Sequence, residues 1–154
     1  MAMKRTTNKQ AQKALNELAS FSNPVGEAGW FESAKYEDGT PVAYVASIQE
    51  YGHGPIPPRS FMRTTIADKR EEWKGLFMDG AKAVVAGGES AGSVMDKVSS
   101  LAAGQVREKI SKIHKPPLAE STKSSRRSRG NTSTKPLVDT GHMLATLTHN
   151  VSDK

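Results

Sequence analysis

The chain has 154 residues, a net charge of +6 and a pI near 9.6, and this length is typical of one domain. Leucine, isoleucine, valine and phenylalanine together number only 27, so the core must be thin and association with other copies is expected. The absence of cysteine excludes disulfides, thiol nucleophiles and cysteine-ligated metals. No apolar run is long enough to cross a membrane or to act as a secretion signal, so we expect a soluble protein made in the cytosol, without a membrane partner.

Two elements are predicted near the N-terminus. Apolar residues at helical spacing predict a helix over 7–20, which ends before Pro24. Alternation of apolar and polar residues over 25–36 predicts a strand. Asp38 and Gly39 then supply a tight turn, so a hairpin is one arrangement open to this segment.

The middle of the chain predicts a helix followed by a stiff segment. Thr40 and Pro41 are typical of a helix start, because a threonine hydroxyl can cap free amides and the first turn does not use the N–H that proline lacks. Apolar residues recur at helical spacing as far as Tyr51, and Gly52 can adopt the left-handed conformation that ends a helix. Three prolines within 53–59 predict an extended, rigid connection.

Two longer helices follow. One is predicted to begin near Thr65, with Asp68 as an approximate capping box, and to stop at Gly87. The other is predicted over 90–113, until two consecutive prolines end it. Because a short glycine loop joins them, we expect an antiparallel pair that supplies much of the core.

The C-terminal third differs in kind. Residues 115–136 are rich in serine, threonine, lysine and arginine, which predicts a long, basic, flexible arm that does not pack alone. Apolar residues return over 137–154, where we predict a short helix from Asp139 and a final strand. The whole chain is expected to be one α+β domain, with a small antiparallel sheet packed against several helices. Its parts would be an N-terminal helix (1–22), an α+β core (25–114), the basic arm, and the C-terminal helix and strand.

No pattern points to catalysis. Asp139, Thr140 and Gly141 match an aspartic-protease signature, but that fold needs many strands afterwards and only 13 residues remain after Gly141. Asp139 is instead predicted to cap a helix. No two histidines have the spacing of a helical zinc site, and no phosphate-binding loop or nucleophile elbow occurs. We therefore expect a protein that is not an enzyme and needs no metal or cofactor.

Three blocks of sequence, which occur in a fixed order, indicate a protein family more specifically than any of these motifs. The first reads IQEYGHGPIPPRSFMR over 48–63, with Trp73 in the helix that follows. The second reads PLAEST over 117–122, and the third reads KPLVDTGHML over 135–144. Together they resemble the tailed-bacteriophage minor tail proteins that are called tail-completion, neck or virion-morphogenesis proteins, and the resemblance covers the chain from about 25 to 151.

The resemblance implies a structural virion protein. Such a subunit is made in the bacterial cytoplasm and forms a ring, a hexamer or a dodecamer, at the head-proximal end of the tail, where it is needed for head-tail joining. Tail-tube, terminator and connector proteins would be its neighbours, and genomic DNA would pass through the ring. Roles as tail terminator or head-tail connector stay open, because these proteins share similar small α+β folds.

Ring contacts are heterologous, so each subunit must present two different patches. One predicted patch is the proline segment with the end of the preceding helix, and the other is the arm with the helix start at Asp139. The predicted interface residues are Tyr51, Ile56, Pro57, Pro58, Arg59, Phe61, Arg63, Asp139 and Thr140.

The basic arm suggests a second hypothesis, which is sequence-independent DNA binding. Flexible lysines and arginines gain affinity for phosphates by releasing counterions, and arginines equally suit a carboxylate-rich protein surface. The arm has no aromatic residue on which bases could stack. Its predicted contact residues are Lys123, Arg126, Arg127, Arg129 and Lys135.

Overall fold

A computed structural model describes residues 9–153. In chain order the elements are α1 (Lys9–Ala19), a 3-10 helix (Ser20–Ser22), β1 (Pro24–Gly29), α2 (Val42–Tyr51), α3 (Met62–Val85), α4 (Ala91–Lys112), α5 (Glu120–Ser128), α6 (His142–Ala145) and β2 (Thr148–Asp153). The predicted α+β class is confirmed, since an antiparallel sheet packs against helices. Helix α1 agrees with the prediction over 7–20, of which residues 7 and 8 lie outside the described part. None of the described helices is long and apolar enough to span a membrane.

The first strand pairs with the last. Strand β1 lies antiparallel to β2, in a register that places Gly29 opposite Thr148. The predicted turn at Asp38 and Gly39 is formed and is closed by an isolated antiparallel bridge between Lys35 and Pro41, but β1 is not one of its strands. The predicted strand over 25–36 was too long, because β2 offers only six residues as partners. Both strands pack on α4. Strand β1 lies very close to α4 at Gly26, where a Cβ would be 3.0 Å from the Met95 carbonyl oxygen.

Helices α3 and α4 form the predicted antiparallel pair. Trp73 Nε1 donates to Gln105 Oε1 at 2.6 Å, whereas Gly80 packs against Val94. The earlier residue of α3 contacts the later residue of α4, and the later residue of α3 contacts the earlier one, so the two helices are antiparallel. Helix α1 lies against α3.

The main core forms where α2, α4 and the C-terminal segment meet. Trp30 anchors the loop after β1, because its ring packs edge-on against Phe61, with 5.8 Å between centroids, and its Nε1 donates to the Met143 carbonyl at 2.8 Å. The core is small, as the composition predicts. Its buried residues are Val42, Ala46, Phe61, Val106, Ile110, Leu137, Met143 and Leu147.

Three predicted helix starts were wrong. Helix α2 begins at Val42 with Pro41 as its N-cap, and no side chain caps it, so Thr40 does not have the predicted role. Helix α6 begins at His142, not at Asp139, and the His142 N–H donates to the Thr140 hydroxyl at 3.3 Å. Helix α3 begins at Met62, three residues before the predicted start, and its cap comes from another helix, as described below. The Gly52 end of α2 is confirmed, with φ at +81°.

The basic arm is folded onto the body. It contains α5, and the following segment packs Leu137 into the core. The prediction of a flexible arm over 115–136 was wrong because it considered apolar side chains only. Arg126 holds the arm instead, since its guanidinium group donates to the backbone carbonyls of Ser133, Lys135 and Val138. Hydrogen bonds from a side chain to the backbone produce no periodic pattern of apolar residues, so this packing could not be predicted from the pattern.

Candidate functional site

Glu50, at the end of α2, joins that helix to the start of α3. Its carboxylate accepts hydrogen bonds from the backbone N–H groups of Phe61 (2.7 Å), Met62 (2.8 Å) and Arg63 (3.1 Å), and from the Ser60 hydroxyl (2.6 Å). The first turn of a helix has free N–H groups and a partial positive charge, so a buried carboxylate is a strong cap there. Burial raises the pKa of Glu50, but the hydrogen bonds outweigh burial and lower the pKa from 4.5 to about 2.

Arg63 completes this anchor and reaches the surface. Its Nε donates to Glu50 Oε1 at 2.9 Å, and its guanidinium carbon lies 4.6 Å from the centre of the Tyr51 ring. Tyr51 is 64% exposed. The contact stacks a cation on an aromatic face. The predicted interface residues Tyr51 and Arg63 are therefore fixed in place and accessible.

Arg59 directly follows the proline segment and is buried. It donates to the carbonyls of Pro116 (2.8 Å) and Pro117 (3.0 Å) and to Gln49 Oε1 (3.0 Å). Burial lowers the pKa of Arg59, and the nearby charge of Arg126 lowers it further. Arg59 thus fastens the first sequence block to the chain just before α5.

Arg126 is the corresponding buried residue on α5. Its three backbone acceptors lie 2.9 to 3.2 Å from Nη1. Its Nε lies 3.4 Å from Asp139 Oδ1, in a charged contact that lacks hydrogen-bond geometry. Asp139 accepts closer hydrogen bonds from Arg129 Nη2 (3.0 Å) and Asn131 Nδ2 (2.6 Å). The predicted helix cap Asp139 is therefore an ion-pair acceptor for the arm.

A groove of about 520 Å³ opens between these elements. One wall comes from α2 and the proline segment, the opposite wall comes from α5, and the base comes from 137–143. Its lining contains both apolar and charged groups. Its lining includes Val45, Gln49, Ile56, Pro57, Arg59, Leu118, Thr122, Arg126, Arg129, Leu137, Asp139 and His142. All three sequence blocks, 48–63, 117–122 and 135–144, contribute to this one surface.

The structure corrects several predicted site residues. Phe61 is 1% exposed and belongs to the core, so it is not available at a subunit boundary. Arg59 and Arg126 are also buried and act within the subunit, although both line the groove. The two patches that were predicted to face opposite neighbours lie against each other as walls of the same groove. Thr140 and Pro58 are exposed, and Ile56 and Pro57 are partly exposed.

The roles of Glu50 and Gln49 were not predicted from the sequence. An acidic residue at a helix end, followed by an extended proline segment and a new helix, is the signal that could have indicated a cap supplied from another element. Within the described residues, no group of three or more His, Asp or Glu side chains is placed to hold a metal ion. Comparisons with protein-family models, curated proteins and solved structures found no match to this chain.

Proposed function

We propose that this protein is a structural virion protein of a tailed bacteriophage, a tail-completion or neck subunit that forms a ring at the head-proximal end of the tail. The observation that carries the proposal is the convergence of three separate sequence blocks on one groove. These blocks are the ones that resemble the phage proteins. Arg59 and Arg126 tie them together through the backbone, so the groove is a built surface rather than a gap between loops.

A ring also requires a second surface, and the junction of α3 with β1 and α4 offers one. Ile66 is 45% exposed beside an apolar pocket of about 240 Å³ between β1, α3 and α4. Met62, Trp73 and Met95 line that pocket. A groove with charged groups on one side and an apolar pocket on another are the two unlike patches that a heterologous contact needs.

The arm supports assembly better than DNA binding. Among its predicted phosphate contacts, Lys123 pairs with Glu120, Arg129 pairs with Asp139, and Arg126 is buried. Only Arg127 and Lys135 make no ion pair within residues 9–153. Two such charges give a weak attraction to a phosphate backbone, because affinity grows with the number of phosphates that are neutralised.

The test is deletion of this gene from the phage that carries it, followed by electron microscopy of the lysate. The proposal expects filled heads beside unattached tails, and a plasmid copy of the gene restores joining. Tails of normal length indicate completion, overlong tails indicate the terminator role, and heads that have lost their DNA indicate the connector role. Normal virions from the deletion strain would refute the proposal.

Point variants then test the surfaces. Ile66→Ser removes an exposed side chain of the apolar pocket, and Tyr51→Ser removes the exposed ring that stacks on Arg63, a predicted interface residue outside both the groove and the pocket. The subunit should stay folded in both variants, while every ring contact loses about 1 to 2 kcal/mol. We expect both variants to fail in complementation. Met78→Ser is the matched control, because Met78 is also an exposed apolar residue of α3, at 50%, and lies outside both surfaces. Full complementation by Ile66→Ser would show that the apolar pocket is not part of the ring contact.

A further inference from the structure

Two buried guanidinium groups in the groove lack a full counter-charge from the subunit. Arg59 and Arg126 both line the groove and are each 5% exposed. Arg59 donates to two backbone carbonyls and to the amide oxygen of Gln49, none of which carries a charge. A buried cation without an anion is costly, and two cations in one site repel each other. The lowered pKa of Arg59, which arises first from burial and then from Arg126, agrees with this description.

The carboxylates around the groove leave the charge unbalanced. Three arginines line it against two aspartates. Asp139 is already engaged by Arg129 and Asn131, and it contacts Arg126 only at 3.4 Å. Asp38, the other aspartate, lies on an exposed turn. An anion from outside the subunit would therefore find a site with excess positive charge.

The bonding of Arg126 indicates which anion fits. The hydrogen bonds that Arg126 makes to the described part of the chain all leave from Nη1. Its Nε is buried and makes none within residues 9–153. Nε faces Asp139 Oδ1 at 3.4 Å, whereas Nη2 makes no hydrogen bond within residues 9–153, so Nη2 is the donor that remains for a carboxylate from outside the subunit.

Much of the remaining lining of the groove is apolar, which suits a peptide. Val45, Ile56 and Pro57 lie on one wall, Leu118 lies on the other, and Leu137 lies at the base. A volume of about 520 Å³ is within the range of ligand-binding pockets. An extended chain places successive side chains on opposite sides, so it can direct a carboxylate to the arginines and apolar groups to the walls.

We propose that this groove binds an extended acidic segment of a neighbouring protein, with an Asp or Glu carboxylate against Arg126 and Arg59 and apolar side chains on the Ile56 and Leu118 walls. The inference rests on the proposed function, because it names the chemistry by which one assembly surface selects its neighbour.

The test is an NMR titration of the full chain labelled with ¹⁵N. The probe is the capped tripeptide Leu-Glu-Leu, the matched probe is capped Leu-Gln-Leu, and inorganic phosphate and a short thymidine oligonucleotide represent phosphate ligands. We expect saturable shifts of the Nε–Hε signals of Arg59 and Arg126 with the glutamate peptide and at least about tenfold weaker binding of the glutamine peptide. Equal binding of both peptides, binding of the phosphate ligands alone, or no saturable shift at millimolar peptide would each overturn the proposal.

Two variants on α5 test the groove without removing a contact on which folding depends. Thr122 lines the groove one helical turn before Arg126, so Thr122→Glu places a competing carboxylate beside the guanidinium without removing any internal hydrogen bond. Ser124→Glu adds the same charge to an exposed position of the same helix that does not line the groove. We expect roughly tenfold weaker peptide binding for the first variant and less than about twofold for the second. Equal effects would show that net charge alone controls binding.

The outcomes separate this inference from the proposed function. If the deletion phage assembles normally but the glutamate peptide binds, the groove is a carboxylate site in a protein of another function. If the deletion blocks joining but Thr122→Glu complements fully and no peptide binds, the neck role stands and the acidic partner is refuted.

Discussion

Replacement of Glu50 by glutamine tests the contact that links α2 to α3. The carboxylate accepts three backbone N–H groups, the Ser60 hydroxyl and the Arg63 Nε–H, and it is 4% exposed. In Glu50→Gln the charge is lost, and the new NH₂ group turns a donor toward other donors. Buried groups without partners and the uncompensated Arg63 charge should cost about 2 to 4 kcal/mol of unfolding free energy near neutral pH.

The pH dependence gives an independent value for the free energy by which Glu50 stabilises the fold. The pKa of Glu50 is lowered from 4.5 to about 2 in the folded protein. At about 1.4 kcal/mol for each pKa unit, the ionised carboxylate stabilises the fold by ~3.5 kcal/mol at pH values above the unfolded pKa. Because the folded pKa is the lower one, this stability is present above pH 4.5 and is lost as the pH falls toward 2. Near pH 3 about half of it should be gone.

The assay is urea unfolding of the wild type and Glu50→Gln at about pH 7 and about pH 3. The difference between the two proteins should shrink by ~2 kcal/mol on acidification. Exposed carboxylates with lowered pKa values, such as Asp38 and Glu72, occur in both proteins, so the difference isolates Glu50. Glu37→Gln is the matched control at an exposed position and should change stability little at either pH. A Glu50→Gln difference that does not vary with pH would refute the carboxylate anchor.

Two further predictions concern packing and the arm. Gly80→Ala would bring a Cβ to 2.5 Å from Val94 Cγ1 and should destabilise the α3–α4 pair by about 1 to 3 kcal/mol, whereas Gly75→Ala, which meets nothing within 4 Å, should stabilise α3 by about 0.5 to 1 kcal/mol. Thermal unfolding of both variants checks this, and equal effects would contradict the close contact. Arg126→Gln should open 120–138 to proteolysis and hydrogen exchange, because three carbonyls lose their donor, whereas the exposed Arg127→Gln should leave this segment protected. Protection of the segment in both variants would show that Arg126 does not hold it.

The amino-acid sequence by itself determined the longer elements and the class of the fold. Helical spacing located α2, α3 and α4, and Gly52 and the prolines after α4 ended two of them, because local backbone preferences act without help from distant residues. The final strand was also predicted, from the return of apolar residues after 137. The small number of strong core formers correctly indicated a thin core.

Only the tertiary structure decided where the charged residues act. Glu50 caps a helix that starts twelve residues later in the chain, and Arg126 binds carbonyls at 133, 135 and 138. Neither contact has a periodic signal, because a hydrogen bond to a backbone group does not depend on the identity of the residue that provides it. Because such contacts hold 120–138 against the body of the protein, two segments that were expected to face different neighbours form the walls of one groove. Arginines that were expected to be exposed hold that groove together from inside.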